Sequence, residues 1–163
     1  MPRLFVAAWP PPAAIAMLHD LPRPDVDGLR WSRPDQWHVT LRFLGEADIH
    51  DVTERLVGAH LPSATATFGP AVDRLGERIL MIPVGGLDEL AAAVRRATTG
   101  LGEPPGRHFR GHLTIARTRR PVDMPLLGTA VSGAFAVHEV ALVESDLHAD
   151  GTRYTTIATF PTG

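Results

Sequence analysis

Apolar residues recur along the chain at two spacings, one typical of helices and one typical of strands. Where the spacing is three or four residues, one face of the segment is apolar, as in a helix that packs on a core. Pro12 suits the first turn of such a helix, because a proline there breaks no hydrogen bond. Three helices are predicted in this way: Ala13–His19, Ala47–Ala59 and a segment from Leu87 to Gly100.

Strands are predicted where apolar residues alternate with polar ones or form short runs bounded by turn residues. Gly76-Glu77 and Asp150-Gly151 are typical of hairpin turns between such strands. Two stretches rich in Pro, Gly and charge predict loops: Asp20–Gln36 and Gly102–Arg107. The predicted strands are Leu4–Ala8, Ala64–Leu75, Arg78–Val84, Ala134–Leu142 and Tyr154–Phe160, the last two antiparallel. Mixed in this order with helices, they predict an α+β fold.

A short pattern, His-apolar-Thr-apolar, occurs twice: His38-Val39-Thr40-Leu41 and His112-Leu113-Thr114-Ile115. In an extended strand, alternate residues share a face, so each copy presents a His and a Thr on one side and two apolar residues on the other. One copy alone is weak evidence, because an ordinary surface strand could carry it. Two copies in separate halves predict strands that meet at a cleft, where two imidazoles and two hydroxyls would surround a small anion such as phosphate.

The composition of the 163 residues, 44% apolar and 21% charged, predicts one compact globular domain. The absence of Cys excludes a thiolate nucleophile, disulfides and a Cys-based zinc site. A net charge of −2 gives no indication of bulk adhesion to nucleic acid. All 16 basic residues are Arg, which favours bidentate phosphate contacts or reflects a compositional bias of the genome.

Arg3 and the apolar run Leu4–Leu18 resemble a signal peptide, but Pro10–Pro12 would break the helix that such a peptide forms. We interpret the run as part of the fold. No stretch of about 18 apolar residues occurs that could cross a membrane. We therefore expect a cytoplasmic protein without membrane contact.

Metal catalysis is the competing interpretation of the eight His residues. His108 and His112 are four apart, which on a helix would place two ligands on one face. Gly111 and the surrounding strand pattern argue against a helix, and no nearby carboxylate completes a ligand set. We therefore expect neither a metal nor another cofactor.

The residues around both motifs match those of a known family. The matching segments are Arg3–Ala7, Trp37–Glu46, Phe109–Arg117, Glu144-Ser145 and Gly151–Tyr154. Together they resemble the 2H phosphoesterases, in particular the bacterial RNA 2′,3′-cyclic phosphodiesterases, also called 2′-5′ RNA ligases. One departure is Gly111, which stands where that family usually has Pro.

The resemblance implies a bilobal domain over residues 1–163, with two antiparallel sheets related by a pseudo-twofold axis, flanking helices and an active-site groove between the lobes. Each lobe would contribute one motif strand. The implied reaction is hydrolysis of RNA 2′,3′-cyclic phosphate ends to 2′-phosphomonoesters. His38 would be the proton donor and His112 the proton acceptor, while Thr40 and Thr114 would donate hydrogen bonds to the phosphate oxygens.

Phe43 and Arg117 each lie five residues after a motif His, at positions that hold the base and the phosphate in the family. In a regular strand this odd spacing would turn both away from the His face, so a bend must redirect them. For Phe43 an ordinary core position is equally compatible with the sequence. Around Arg117, a solvated basic patch formed with Arg107, Arg110, Arg119 and Arg120 is the alternative.

Other functions stay open at this point. The same chemistry could act on a 2′-5′ RNA linkage or an ADP-ribose cyclic phosphate, or run as a ligase. A nucleotide- or RNA-binding module with little activity is the third possibility, although phosphate binding alone does not need two proton-transfer groups. The expected partners are RNA ends or nucleotides with a 2′,3′-cyclic phosphate. We expect a monomer without a protein partner.

Overall fold

A computed structural model describes residues 1–106 and 108–163. The loop prediction at Gly102–Arg107 therefore has its last residue outside the described residues. Within these residues there are three α-helices: α1 (Pro12–Leu18), α2 (Ile49–Val57) and α3 (Asp88–Ala97). All three predicted helices are confirmed, and α3 ends before Gly100 because Thr98 already leaves helical geometry. No helix in the described part of the chain is long and apolar enough to cross a bilayer.

In the part of the chain that the structure describes, ten strands form one curled, antiparallel sheet in the order β10-β9-β1-β3-β7-β6-β4-β8, with β2 added beside β7 and β5 beside β6. The strands are β1 (Arg3–Ala8), β2 (Leu29–Trp31), β3 (Val39–Glu46), β4 (Ala64–Phe68), β5 (Asp73–Leu75), β6 (Ile79–Gly85), β7 (His112–Thr118), β8 (Ala134–Val137), β9 (Glu139–His148) and β10 (Gly151–Pro161). The expected α+β class is confirmed.

The sheet has two halves that meet at one point. Strands β10, β9, β1 and β3 form the first half, and β7, β6, β4 and β8 form the second. Between β3 and β7 a single pair of residues is in register, Val39 and Leu113. Both residues belong to the predicted motifs, so the seam between the halves is also where the two motifs meet.

One face of the sheet is covered by the helices. Leu18 of α1, Leu56 of α2 and Leu90 of α3 are fully buried in the same core as Val39 and Leu113. Burying such a side chain contributes about 1.5–3 kcal/mol, so this core anchors the motif strands from behind. The opposite face carries a smaller apolar cluster built on Phe5, Ala7, Ala141 and Val143. The polar side of each motif faces in this second direction.

Two predicted strands are each divided in the structure. Ala64–Leu75 forms β4 and β5, interrupted at the Gly69-Pro70 peptide bond, which is cis. Ala134–Leu142 forms β8, which pairs with β4, and β9, which pairs with β1 and β10. That run therefore passes from one half of the sheet to the other, which its alternation does not indicate. The hairpin turns at Gly76-Glu77 and Asp150-Gly151 are confirmed.

The predicted loop Asp20–Gln36 contains regular structure. Leu29, Arg30 and Trp31 form β2 by pairing with Thr118, Arg117 and Ala116 of β7. Pro34–Gln36 then makes one turn of 3-10 helix that leads into the first motif. The loop prediction is wrong for these residues, because their structure depends on pairing with a distant strand rather than on local composition.

Candidate active site

The seam brings the two motifs side by side in opposite directions. Val39 pairs with Leu113, so the antiparallel register places His38 beside Thr114 and Thr40 beside His112. Consistent with this, His38 and Thr114 line one small cavity, whereas Thr40 and His112 line a neighbouring cavity of about 470 Å³. The structure therefore assembles two His–Thr pairs on the face of the sheet opposite the helices.

Both imidazoles are held by the same type of hydrogen bond. Nδ1 of His38 lies 2.8 Å from the carbonyl oxygen of Gln36, and Nδ1 of His112 lies 2.7 Å from the carbonyl oxygen of Arg110. A carbonyl can only accept, so Nδ1 of each ring is the protonated donor. This contact leaves Nε2 of each ring as the nitrogen that can exchange a proton with a substrate.

Aromatic rings surround His38. Its ring stacks on Phe5 with the centroids 4.9 Å apart, and Tyr154 meets it edge-on at 5.1 Å. Trp9 packs against it at 5.4 Å. Desolvation by this burial lowers the pKa of His38, and the positive charges of Arg117 and His112 act in the same direction. The carbonyl of Gln36 opposes the shift only in part, so His38 of the free protein is biased toward its neutral form.

Two β-bulges explain how Phe43 and Arg117, each five residues after a motif His, reach the same face as the histidines. In β3, Thr40 pairs with Ala7 and Arg42 pairs with Val6, so Leu41 is an extra residue. The extra residue shifts the alternation by one position. Phe43 consequently pairs with Phe5, which lies on the face of His38 and Thr40.

Strand β7 also has a β-bulge, at the equivalent position. Thr114 pairs with Met81 and Ala116 pairs with Leu80, so Ile115 is the extra residue. Ala116 takes its place in the helix-covered core, and Arg117 turns to the opposite face. Arg117 lines the same small cavity as His38 and Thr114. All six predicted site residues therefore share one face of the sheet.

Phe43 has an exposed ring rather than a core position. Its relative exposure is 42%, and the guanidinium of Arg3 lies 5.4 Å from the ring centroid. An exposed aromatic beside the Thr40–His112 cavity, which Phe43 also lines, can stack against a planar ligand.

Several residues at the site received no role from the sequence. Gln36, Ser32 and Tyr154 line the cavity of His38, and Arg30 stands beside Arg117. Three of them lie in the segment whose local pattern indicated a loop, so no strand periodicity pointed to them. Tyr154 belongs to a segment of the family resemblance, which was the one available signal.

Gly111, the departure from the family pattern, lies against the backbone of β6. Its carbonyl accepts a hydrogen bond of 2.9 Å from the amide of Val84, and a Cβ at this position would overlap the carbonyl oxygen of Val84. The close approach of the two chains therefore requires glycine just before His112.

Over residues 108–112 the structure has no helix that could place His108 and His112 on one face, as the metal interpretation required. His112 begins β7, so His108 and His112 do not share a helix face. Across residues 1–106 and 108–163, no group of three or more His, Asp or Glu side chains is arranged to hold a metal ion.

Comparison with known families gives a match to part of the chain. The model of the family described as LigT like Phosphoesterase matches residues 10–76, which include the first motif. Among curated proteins, none matches the chain.

Solved structures match almost the whole chain. The protein TT0787 of Thermus thermophilus is 27% identical with a TM-score of 0.78, and the match covers 98% of this chain and 97% of that one. E. coli LigT in complex with NADP+ is 25% identical with a TM-score of 0.76, covering 99% and 98%. The E. coli protein has also been solved with ATP and with 3′-AMP.

The fold, the site geometry and the family match over residues 10–76 together confirm the resemblance to the 2H phosphoesterases found in the sequence. The chain is similar to the LigT-like phosphoesterases in sequence over residues 10–76 and in fold over almost its whole length.

Proposed function

We propose that the protein hydrolyses 2′,3′-cyclic phosphates at RNA ends or on nucleotides to 2′-phosphomonoesters, without a metal. The observation that carries this proposal is the pair of imidazoles on the same face of the seam, each with Nδ1 hydrogen-bonded to a backbone carbonyl and each beside a motif Thr. Opening a cyclic phosphodiester needs a base for the attacking water and an acid for the departing oxygen, and two such imidazoles supply both.

In this mechanism, Nε2 of His112 takes a proton from water as the water oxygen attacks phosphorus. The bond from phosphorus to the ribose 3′ oxygen breaks, and Nε2 of His38 gives its proton to that oxygen. The phosphate stays on the 2′ oxygen. His112 leaves the cycle protonated and His38 neutral, and proton exchange with water restores both. Thr40 and Thr114 donate hydrogen bonds to the non-bridging oxygens, where negative charge accumulates in the transition state.

The lowered pKa of His38 bears directly on its proposed role as proton donor. A donor must hold its proton when the substrate is bound, whereas burial and Arg117 favour the neutral ring in the free protein. The negative charge of a bound phosphodiester acts in the opposite direction, because it screens Arg117 and attracts the imidazolium. Binding of the substrate would thus raise the pKa of His38 and favour uptake of a proton from solvent by the proposed acid. If instead His112 is the donor and His38 the acceptor, an activated leaving group should restore the activity of His112→Ala rather than that of His38→Ala.

The substrate class draws support from the relatives. Structures of E. coli LigT contain NADP+, ATP and 3′-AMP, so this relative binds nucleotides. We extend nucleotide binding to the present chain, with Phe43 beside the base and Arg117 beside the phosphate. We also propose that residues 1–163 act as one domain, because each half of the sheet supplies only one of the two histidines.

A panel of substrates tests the proposal. The four nucleoside 2′,3′-cyclic phosphates, a short RNA with a cyclic end, a 2′-5′ dinucleotide and an ADP-ribose cyclic phosphate are incubated with the protein in EDTA. We expect turnover of the 2′,3′-cyclic phosphates. In the product the phosphate should be on the 2′ oxygen, and ³¹P NMR identifies its position. A 3′-phosphate product, exclusive turnover of another diester, or activity that requires a divalent ion would contradict it.

A further inference from the structure

Two arginines lie directly opposite each other beside the catalytic histidines. Arg30 of β2 is the register partner of Arg117 of β7. Like charges at opposite positions of paired strands are destabilising, so a bound anion would stabilise this arrangement. In the described part of the chain, neither guanidinium forms a salt bridge. Among the described residues, the Arg30 guanidinium has one hydrogen bond, of 3.3 Å from Nη2 to the carbonyl oxygen of Asp150.

The pair opens into a polar cavity of about 230 Å³ between β2 and the β9–β10 hairpin. Two other arginines of its lining have carboxylate partners. Arg33 pairs with Asp35 at 3.2 Å, and Arg153 pairs with Asp150 at 3.3 Å. The uncompensated positive charge of the cavity therefore belongs to Arg30 and Arg117.

This cavity continues into the catalytic one. Arg117, Ser32, Gln36 and Tyr154 line both it and the smaller space that contains His38 and Thr114. Arg117 stands at the junction, with the reacting phosphate expected on one side and Arg30 on the other. A substrate that places one phosphate at the histidines can therefore extend a second anionic group toward Arg30.

The wall opposite Arg30 is held in place. Nε2 of Gln36 donates a 2.8 Å hydrogen bond to the carbonyl oxygen of Thr152, which ties the hairpin to the first motif. A Cβ at Gly151 would lie 3.0 Å from Nη2 of Arg30, so the hairpin approaches the guanidinium closely. A fixed wall and an unpaired cation favour a ligand of defined size over loosely held counterions.

We infer that Arg30, beside Arg117, forms a second phosphate subsite, and that the preferred substrate carries another phosphate group besides the cyclic one. Two sources share this chemistry, the internucleotide phosphodiester of an RNA end and the 5′-phosphate of a mononucleotide. The inference rests on the proposed function for the place of the cyclic phosphate, and it adds the substrate class that the site prefers.

The test compares three substrates: adenosine 2′,3′-cyclic phosphate, its 5′-phosphorylated form and the dinucleotide ApA with a cyclic end. We expect kcat/KM to be roughly tenfold to a hundredfold higher when the second phosphate is present, as for one charge-assisted contact. Arg30→Gln should remove most of that ratio. Arg96→Gln, a matched loss of one exposed charge on α3, should leave the ratio unchanged. Whichever of the two second-phosphate substrates shows the advantage identifies the source.

A binding measurement keeps the subsite testable apart from turnover. Adenosine 2′,5′-bisphosphate should bind more tightly than adenosine 2′-phosphate in calorimetry, and Arg30→Gln should abolish the difference. Equal affinities, or a difference that survives in Arg30→Gln, would overturn the subsite even if the protein turns over cyclic phosphates. Absence of turnover with an intact affinity difference would instead contradict the proposed function and support the subsite.

Discussion

The ring of His38 stacks on the ring of Phe5, with 4.9 Å between centroids and 30° between planes. Phe5 belongs to β1 and is itself buried, so this contact removes one side of the imidazole from water. The stack links the buried apolar cluster of the first half directly to the proposed proton donor. The protonation state of His38 is therefore set by packing as much as by its hydrogen bond.

In the free protein, His38 should titrate below the ordinary His pKa of about 6.5, because burial disfavours the charged ring. NMR of the imidazole protons against pH measures the midpoint. Arg117→Gln should raise it, since a nearby positive charge is removed, and saturating inorganic phosphate should raise it as well. A midpoint at or above 6.5 in the free protein would contradict this account of the site.

Leaving-group chemistry should separate the two histidines. On a cyclic phosphate, His38→Ala and His112→Ala should each lose about 10²–10⁴-fold in kcat. In a nucleoside 2′-(4-nitrophenyl phosphate), the 4-nitrophenolate leaves without being protonated. On this substrate His38→Ala should therefore recover much of its activity relative to the unmodified protein. His112→Ala should not recover, because water still has to be deprotonated. Recovery of His112→Ala alone would show that donor and acceptor are reversed.

Replacement of Phe43 should affect substrates according to their base. Stacking of a base on an aromatic ring contributes about 1–3 kcal/mol, and purines stack over a larger area. Phe43→Ala should therefore reduce kcat/KM by about tenfold or more for adenosine 2′,3′-cyclic phosphate and by less for the uridine compound. Phe43→Leu serves as the control for apolar bulk. If Phe43→Leu keeps the activity, or if Phe43→Ala reduces kcat/KM equally for both nucleotides, Phe43 contributes apolar packing rather than stacking on the base.

Gly111→Ala should destabilise the protein by about 1–3 kcal/mol, because its Cβ overlaps the carbonyl oxygen of Val84 and forces β6 and β7 apart. Urea unfolding measures the change. The displacement also moves His112, so kcat should fall with stability. Gly111→Pro, the residue usual in the family, introduces the same Cβ and should do the same.

Gly85→Ala is the matched control, since a Cβ at Gly85 meets no atom within 4 Å. It should change the free energy of unfolding by a few tenths of a kcal/mol at most. Unchanged stability of Gly111→Ala would mean that the two strands separate at no cost.

The sequence predicted the motif strands well because their signal is local. Each alternates sharply between core and open face, as Val39 and His38 illustrate. Strand β2 could not be predicted in the same way. Arg30 lies in a stretch rich in Pro and charge, and it is extended because β7 supplies the hydrogen-bonding partner. That dependence on a distant strand is also why the sequence did not indicate Arg30 as a candidate site residue.

Some strand boundaries predicted from the sequence were wrong for a related reason. Ala134–Leu142 was predicted as one strand, yet β8 and β9 lie in different halves and are divided at His138, where His138 and Glu139 are both exposed and interrupt the alternation. The bulges at Leu41 and Ile115 likewise have no marker in composition, since both residues are ordinary buried aliphatic residues. Only the family resemblance indicated that Phe43 and Arg117 belong to the site.

The paired bulges set a condition for anyone who transplants this site onto another antiparallel sheet. Each motif changes phase at its last residue, Leu41 or Ile115, so a graft of His-x-Thr alone would carry the proposed proton-transfer groups and bury the proposed substrate contacts, Phe43 and Arg117, behind the sheet. The smallest transferable unit is the stretch from the His to the substrate contact, His38–Phe43 and His112–Arg117, each with one residue more than its partner strand spans. A scaffold of regular strands would have to be lengthened by one residue in each of the two motif strands.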